Sequence, residues 1–166
     1  MPDTPVMRQY QEIKGRHSLS ILFFRLGDFY EMFGADSVDA SRILGLVLTQ
    51  RQGVPMCGVP FHNAQSHIAR LLRAGRKVAI AEQLEDPSKA KKIVARDVIR
   101  VVTPGTIVED ELLDPAAANF LVAVENDLVG WGAACLDVST GESWATQTLN
   151  ARDHRKLYDL LARARP

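Results

Sequence analysis

Apolar positions at helical spacing open the chain. Val6, Met7, Tyr10 and Ile13 share one face of a helix expected from Pro5 to Arg16, with Thr4 as its cap and Pro5 at the first position, where a missing N–H costs nothing. The period then changes. Ile21-Leu22-Phe23-Phe24-Arg25-Leu26 is β-branched and aromatic and predicts a buried strand, Gly27-Asp28 interrupts it, and Phe29 to Phe33 continues in an extended pattern. Gly34 and a capping Asp36 open a helix through Val38, Ile43 and Leu44, after which Leu46-Val47-Leu48-Thr49 reads as a further strand. Residues 51–66, with Gly53, Pro55, Gly58 and Pro60, predict an irregular loop. Asn63 or Ser66 then starts a helix with Ile68, Leu71 and Leu72 as its buried stripe and Gly75 as its left-handed stop. Val78 to Ala81 predicts a strand, Asp86 to Lys92 a charged excursion, and Ile93 to Val102 renewed β structure.

Thr103-Pro104-Gly105-Thr106 is turn chemistry, and residues 110–113 and 115–118 read as short helical pieces bridging two folding units. Beyond Asn119 the pattern becomes a β-meander: strands at Phe120 to Val124, Gly132 to Val138 and Ser143 to Thr148, with turns at Asn126-Asp127 and Thr140-Gly141. A last helix is expected over Ala151 to Ala164. Three strands and one helix bury too little for an independent core, so the expectation is one domain over 1–115 and the first part of a second over 116–166.

The 166 residues are 46% hydrophobic and 24% charged, which suits a folded globular chain and excludes disorder as the main state. The longest apolar runs fall far short of the roughly 20 residues that cross a bilayer, and Met1-Pro2-Asp3-Thr4-Pro5 has no secretory pattern. A cytoplasmic protein without membrane contact is expected. Twenty basic residues balance twenty acidic ones, so any nucleic-acid contact must come from a local patch and non-specific affinity should be modest. Cys57 and Cys135 lie in apolar surroundings as free thiols.

The chain carries no phosphate-binding G-x-x-x-x-G-K-[ST] loop, no G-x-G-x-x-G, no H-E-x-x-H and no C-x-x-C, so catalysis has little support. Cys57, His62 and His67 match no common ligand spacing and read as a loop with a structural thiol. Asp137 and Glu142, on adjoining strands, could serve a magnesium-dependent nuclease, but such sites need further carboxylates, and strand-end solvation is the plainer reading. Arg70, Arg73, Arg76 and Lys77 on one helix, and Lys89, Lys91, Lys92, Arg96 and Arg100 near a strand, are candidate phosphate contacts or simply a solvated face. A metal-dependent nuclease and a regulatory protein-interaction fragment therefore stand as alternatives to a binding module.

Arg25-Leu26-Gly27-Asp28-Phe29-Tyr30-Glu31-Met32-Phe33 resembles the mismatch-reading motif of the MutS family of DNA mismatch repair proteins. Four further stretches resemble the N-terminal domain of that family in the same order: residues 4–10, Pro55 to His62, Ala81-Glu82-Gln83 and Arg100 to Thr106. Leu136 to Gly141 resembles the start of the family's connector domain. The resemblance implies an α/β fold, a mixed β-sheet with surrounding helices, followed by part of a non-catalytic RNase H-like connector. It further implies that Phe29 stacks on a mispaired base and Glu31 hydrogen-bonds to it. Arg51, Lys92 and Arg96 are the basic residues expected to contact DNA beside them. Residues i and i+2 of a strand project to one side, about 6.5 to 7 Å apart, so Phe29 and Glu31 can address one base pair. Taken without the resemblance, Phe29 reads as an ordinary core aromatic. The expected partners are mismatched duplex DNA, the remaining domains and a second subunit of such a protein, and a MutL-type protein. No cofactor is expected in this chain, because ATP and magnesium belong to a downstream ATPase domain of the family.

Overall fold

The computed structural model describes residues 4–85, 93–104, 118–164 and 166. The chain forms two compact units, Met1–Thr103 and Pro104–Pro166. The boundary expected at 115/116, the charged excursion and the short helix expected at 110–113 fall outside the described residues, as do residues 115–117 of the piece expected over 115–118.

The first unit is built on a mixed six-stranded sheet in the order β3-β4-β2-β1-β5-β6. The strands are β1 Ser20–Leu26, β2 Phe29–Phe33, β3 Thr49–Arg51, β4 Val54–Pro60, β5 Lys77–Gln83 and β6 Arg96–Val102. Only β1 and β5 run parallel; the other neighbouring pairs are antiparallel. Strand β1, central and buried along Ser20 to Phe24, matches its unbroken apolar run. Three helices accompany the sheet: α1 Pro5–Arg16, α2 Ala35–Leu44 and α3 Ala64–Arg73.

Helix α1 starts as its sequence dictates, with Thr4 Oγ1 accepting from the Met7 N–H and Pro5 in the first turn. Its buried residues Met7, Tyr10 and Ile13 pack on Leu22, Phe24, Phe33, Ala79 and Ala81, all on one face of the sheet. Tyr10 makes edge contacts with Phe24 at 5.4 Å and Phe33 at 5.0 Å. On the opposite face Cys57 donates to the Ser37 carbonyl of α2. Cys57 shares that face with its cross-strand neighbour Met32.

Three local expectations are corrected. Asp36 does not cap α2: Gly34, at φ +59, precedes the helix, and the Asp36 carboxylate instead accepts from Leu22 N–H and Lys14 Nζ, tying α2 to β1 and α1. Leu46 to Leu48 is not a strand, and β3 starts only at Thr49. The segment expected as an irregular loop contains β4, which pairs with β3 across a two-residue turn at Gln52-Gly53 and with β2 on its other side. Gln52 and Gly53 both have positive φ, the conformation such a turn requires, so Gly53 makes a hairpin rather than ending regular structure. Pro55 is the second residue of β4 and Pro60 its last.

The second unit contains the expected meander, β7 Phe120–Asn126, β8 Trp131–Asp137 and β9 Ser143–Thr148, followed by α4 His154–Ala164. Trp131, Ala133, Cys135 and Leu160 are buried together, with Phe120, Val122, Leu157 and Leu161 against them.

Candidate nucleic-acid interface

Cross-strand register defines the site. Leu26 faces Phe29 and Phe24 faces Glu31 on one side of β2, while Pro60 and Gly58 face the same two residues on the other. Phe29, Glu31 and Phe33 therefore share the face that α1 packs on, yet they differ in burial. Phe33 lies under Tyr10 and is 2% exposed, whereas the Phe29 ring, at the far end of the strand, is 46% exposed. The strand pattern that makes an aromatic look like core is correct for Phe33 and fails for Phe29, because α1 covers one end of this face and leaves the other open.

Glu31 lies between Phe29 and Phe33 along the strand. Its side chain is 17% exposed and its carboxylate accepts from Arg51 Nη1 at 3.2 Å, while the Arg51 side chain, on β3, is 56% exposed. The pair spans β4, and the β4 residue beside Glu31 is Gly58. A Cβ there would stand 3.2 Å from the Tyr30 carbonyl oxygen and 3.6 Å from Glu31 Cγ, so a side chain at this position would crowd the backbone of β2. Burial pushes the Glu31 carboxyl above its ordinary range, and the charge and hydrogen bond of Arg51 pull the other way. An exposed ring, a carboxylate disposed to take up a proton and a cation at the rim thus lie together.

The remaining expected DNA contacts fare differently. Lys92, with Lys89 and Lys91, lies outside the described residues. Arg96 is 9% exposed, and its guanidinium donates to the Arg25 carbonyl at 2.6 Å, the Val94 carbonyl at 2.8 Å and Gln9 Oε1 at 3.2 Å, over the ring of Phe24. A cation so occupied braces β6 against β1 and α1. Arg70 likewise donates to the Ile43 and Leu44 carbonyls at the end of α2, and Arg76 pairs with Asp39.

The rival chemistries lose their groups to structural duties. Cys57 is buried with its thiol pushed up to about 11, the reverse of a reactive cysteine, and His67 Nδ1 lies 2.9 Å from the Asn63 carbonyl oxygen. Asp137 Oδ1 accepts from Ser139 N–H, Ser139 Oγ and Asn119 N–H, which hold its carboxyl below the usual range. Among the described residues no group of three metal-ligating side chains comes together.

Sequence reasoning missed the link between Arg51 and Glu31 and, behind the site, a hydrogen bond from the Tyr30 hydroxyl to Glu82. Tyr30, Glu82 and Gly58 all lie in stretches singled out by resemblance, but only the register of the sheet brings them together. Among the described residues no helix is long and apolar enough to cross a membrane.

The family model of MutS domain I matches residues 4–111. The DNA mismatch repair protein MutS of Syntrophomonas wolfei is 50% identical over 98% of the chain and 20% of its own length. The protein of the same name from Myxococcus xanthus is 52% identical over 98% of the chain and 18% of its own length, and that of Caldanaerobacter subterraneus is 47% identical over 100% and 20%. The chain thus spans about a fifth of the length of these relatives.

Proposed function

Because the chain belongs to the MutS family, with the family's domain I over residues 4–111, we propose that it binds duplex DNA in mismatch repair and reads mispaired bases with Phe29 and Glu31. The observation that carries this reading is the half-exposed Phe29 ring on a strand whose neighbouring aromatics are buried, with the Glu31 carboxylate two residues along on the same face.

An apolar ring entering the minor groove must partly unstack a base step. That costs a few kcal/mol in a sound duplex and less where pairing is already defective, so deformability itself becomes the signal. Glu31 adds a second selection. A carboxylate approaching DNA is repelled by the phosphates and is tolerated only when it gains a hydrogen bond to a base or takes up a proton. Its burial already favours the protonated form. A mismatch that opens to the ring offers such a bond, whereas a well-stacked pair does not, so the penalty falls mainly on matched DNA. Arg51, mostly exposed beside Glu31, is placed to exchange its carboxylate partner for a phosphate.

On the same reading, the second unit is the first part of an RNase H-like connector, and mismatched DNA is met in the company of the relatives' remaining domains, a second subunit and a MutL-type protein. ATP and magnesium act elsewhere in such an assembly, which works in the cytoplasm at the nucleoid. The test is fluorescence anisotropy of this chain on matched and mismatched duplexes at fixed salt. With balanced charge, binding should be roughly micromolar or weaker and should favour the mismatch. Equal affinity for both duplexes, or a preference that survives Phe29→Ala, would overturn the assignment.

A further inference from the structure

The reverse face of β2 carries a second arrangement. In register across the sheet stand Val59 of β4, Tyr30 of β2, Arg25 of β1 and Glu82 of β5, on the side opposite Phe29 and Glu31. The Tyr30 hydroxyl donates to Glu82 Oε1, and Arg25 Nη1 lies 3.6 Å from the same carboxylate oxygen. Tyr30 is 8% exposed, and its bond to Glu82 is partly buried. The Arg25 guanidinium also lies 3.7 Å from the centre of the Phe61 ring, while Arg25 Nε donates to the Gly27 carbonyl at 2.5 Å. Finally, the Phe61 N–H donates to the Asp28 carbonyl at 2.9 Å.

Both carbonyls of the turn that precedes Phe29 are therefore fastened from outside the turn. Gly27, at φ +58, is the first central residue of a two-residue hairpin closed by Leu26 and Phe29, a tight reversal with little latitude once its carbonyls are bonded. Three stretches distant in sequence, at residues 25–31, 61 and 82, converge on this one point. Nothing in the recognition chemistry itself calls for Tyr30, Glu82 or Phe61.

We propose that Arg25, Tyr30, Glu82 and Phe61 form a clamp on the back of the sheet that fixes the direction in which Phe29 and Glu31 project, making Arg25 and Glu82 positioning residues for mismatch reading. The proposal rests on the function proposed above for Phe29. An exposed ring on a strand end next to a turn can rotate with that turn, and a wedge that rotates spends binding energy on ordering itself. Holding the turn before DNA arrives removes that cost.

The test uses the full chain labelled with 15N, as wild type, Arg25→Met and Glu82→Gln. Arg25→Met removes the bond to Gly27, the pairing with Glu82 and the charge over Phe61. Glu82→Gln keeps an acceptor for Tyr30 but loses the charge that holds Arg25. The readouts are amide exchange at Phe61, 15N relaxation at Gly27, Asp28 and Phe29, and the ratio of mismatched to matched affinity. In Arg25→Met, Phe61 exchange should quicken at least tenfold relative to Leu22 and Phe24 in β1, the turn should gain fast motion, and the affinity ratio should fall towards one. Glu82→Gln should give a smaller change in the same three readouts. If either variant loses melting temperature while Phe61 exchange, turn relaxation and the affinity ratio stay at wild-type values, the cluster is only a structural ion pair and the proposal fails. If the wild type itself shows no mismatch preference, the functional reading fails instead, and exchange and relaxation still decide whether the clamp holds the turn.

Discussion

Truncating Phe29 and Phe33 in parallel separates a reading residue from a core residue on the same face of the same strand. Phe33 is 2% exposed under Tyr10, and Phe33→Ala leaves a cavity, so it should cost about 3 to 5 kcal/mol. Phe29 is 46% exposed. Only about half of a buried phenylalanine's transfer energy is at stake, and the vacated space is already open to water, so Phe29→Ala should cost about 1 kcal/mol. For a unit of this size that is a fall in melting temperature of roughly 4 to 8 °C, against a loss about three to five times as large for Phe33→Ala. Far-UV circular dichroism follows the melting. Trp131 and Trp144 both lie in the second unit, so their fluorescence reports that unit separately and serves as an internal control. Anisotropy on matched and mismatched duplexes supplies the functional half. Phe29→Ala should lose mismatch preference with its fold intact. A stability loss equal to that of Phe33→Ala, with preference retained, would return Phe29 to the core and end the wedge assignment.

Three other measurements probe the same physics. Burial and the bond to Glu82 push Tyr30 up to about 12, so that bond's stabilisation should be fully present below pH 10 and fade as pH rises from 10 towards 12; burial holds Tyr10 higher still, so absorbance titration should show two late tyrosines, of which Tyr30→Phe removes the earlier. Glu31, raised by burial, stabilises the fold when protonated and loses that contribution as pH rises through its folded value. Glu31→Gln should therefore be more stable than wild type at pH 7, by a margin that shrinks towards pH 4, and should bind matched duplex more tightly; unchanged matched affinity at low salt would show that Glu31 is no electrostatic gate. A Cβ at Gly130 would stand 1.8 Å from the backbone oxygen of Thr148, so Gly130→Ala should cost more than about 3 kcal/mol and shift the Trp131 emission to the red, while Gly15→Ala, with open space in α1, should be neutral or stabilising by up to ~1 kcal/mol.

Most elements were legible because their signals are local. Thr4-Pro5 with apolar residues at helical spacing specifies α1 from Pro5 to Arg16, and the change from period 3.6 to a run of β-branched and aromatic residues specifies β1. The failures occur where local chemistry has two outcomes. Val54 to Pro60 carries two prolines and Gly58 and reads as loop, but both neighbouring strands offer it partners, and Gly58 is needed for close packing against Glu31 rather than for a bend. Leu46 to Leu48 has strand composition, yet Val47 stays 80% exposed. The β propensity of such a segment counts only when a partner strand or a core face receives it, and here pairing begins at Thr49.

The site divides along the same line. Alternation places Phe29 and Glu31 on one face from sequence alone, but exposure depends on how far α1 reaches over that face, a property of tertiary packing. Arg96 shows the converse. A basic residue in a charged stretch looks like a phosphate contact until register sets its guanidinium beside the Arg25 carbonyl and the Phe24 ring, where its donors are satisfied by the protein. Arg51 looks equally generic in sequence and proves different, because it stands across β4 from Glu31 and pairs with it while its own side chain stays mostly exposed. Charge identifies which residues could meet a phosphate. What decides is whether the fold has already supplied each cation with acceptors in a buried place, as it has for Arg96, or with a single carboxylate in an exposed one, as it has for Arg51, where DNA can still compete.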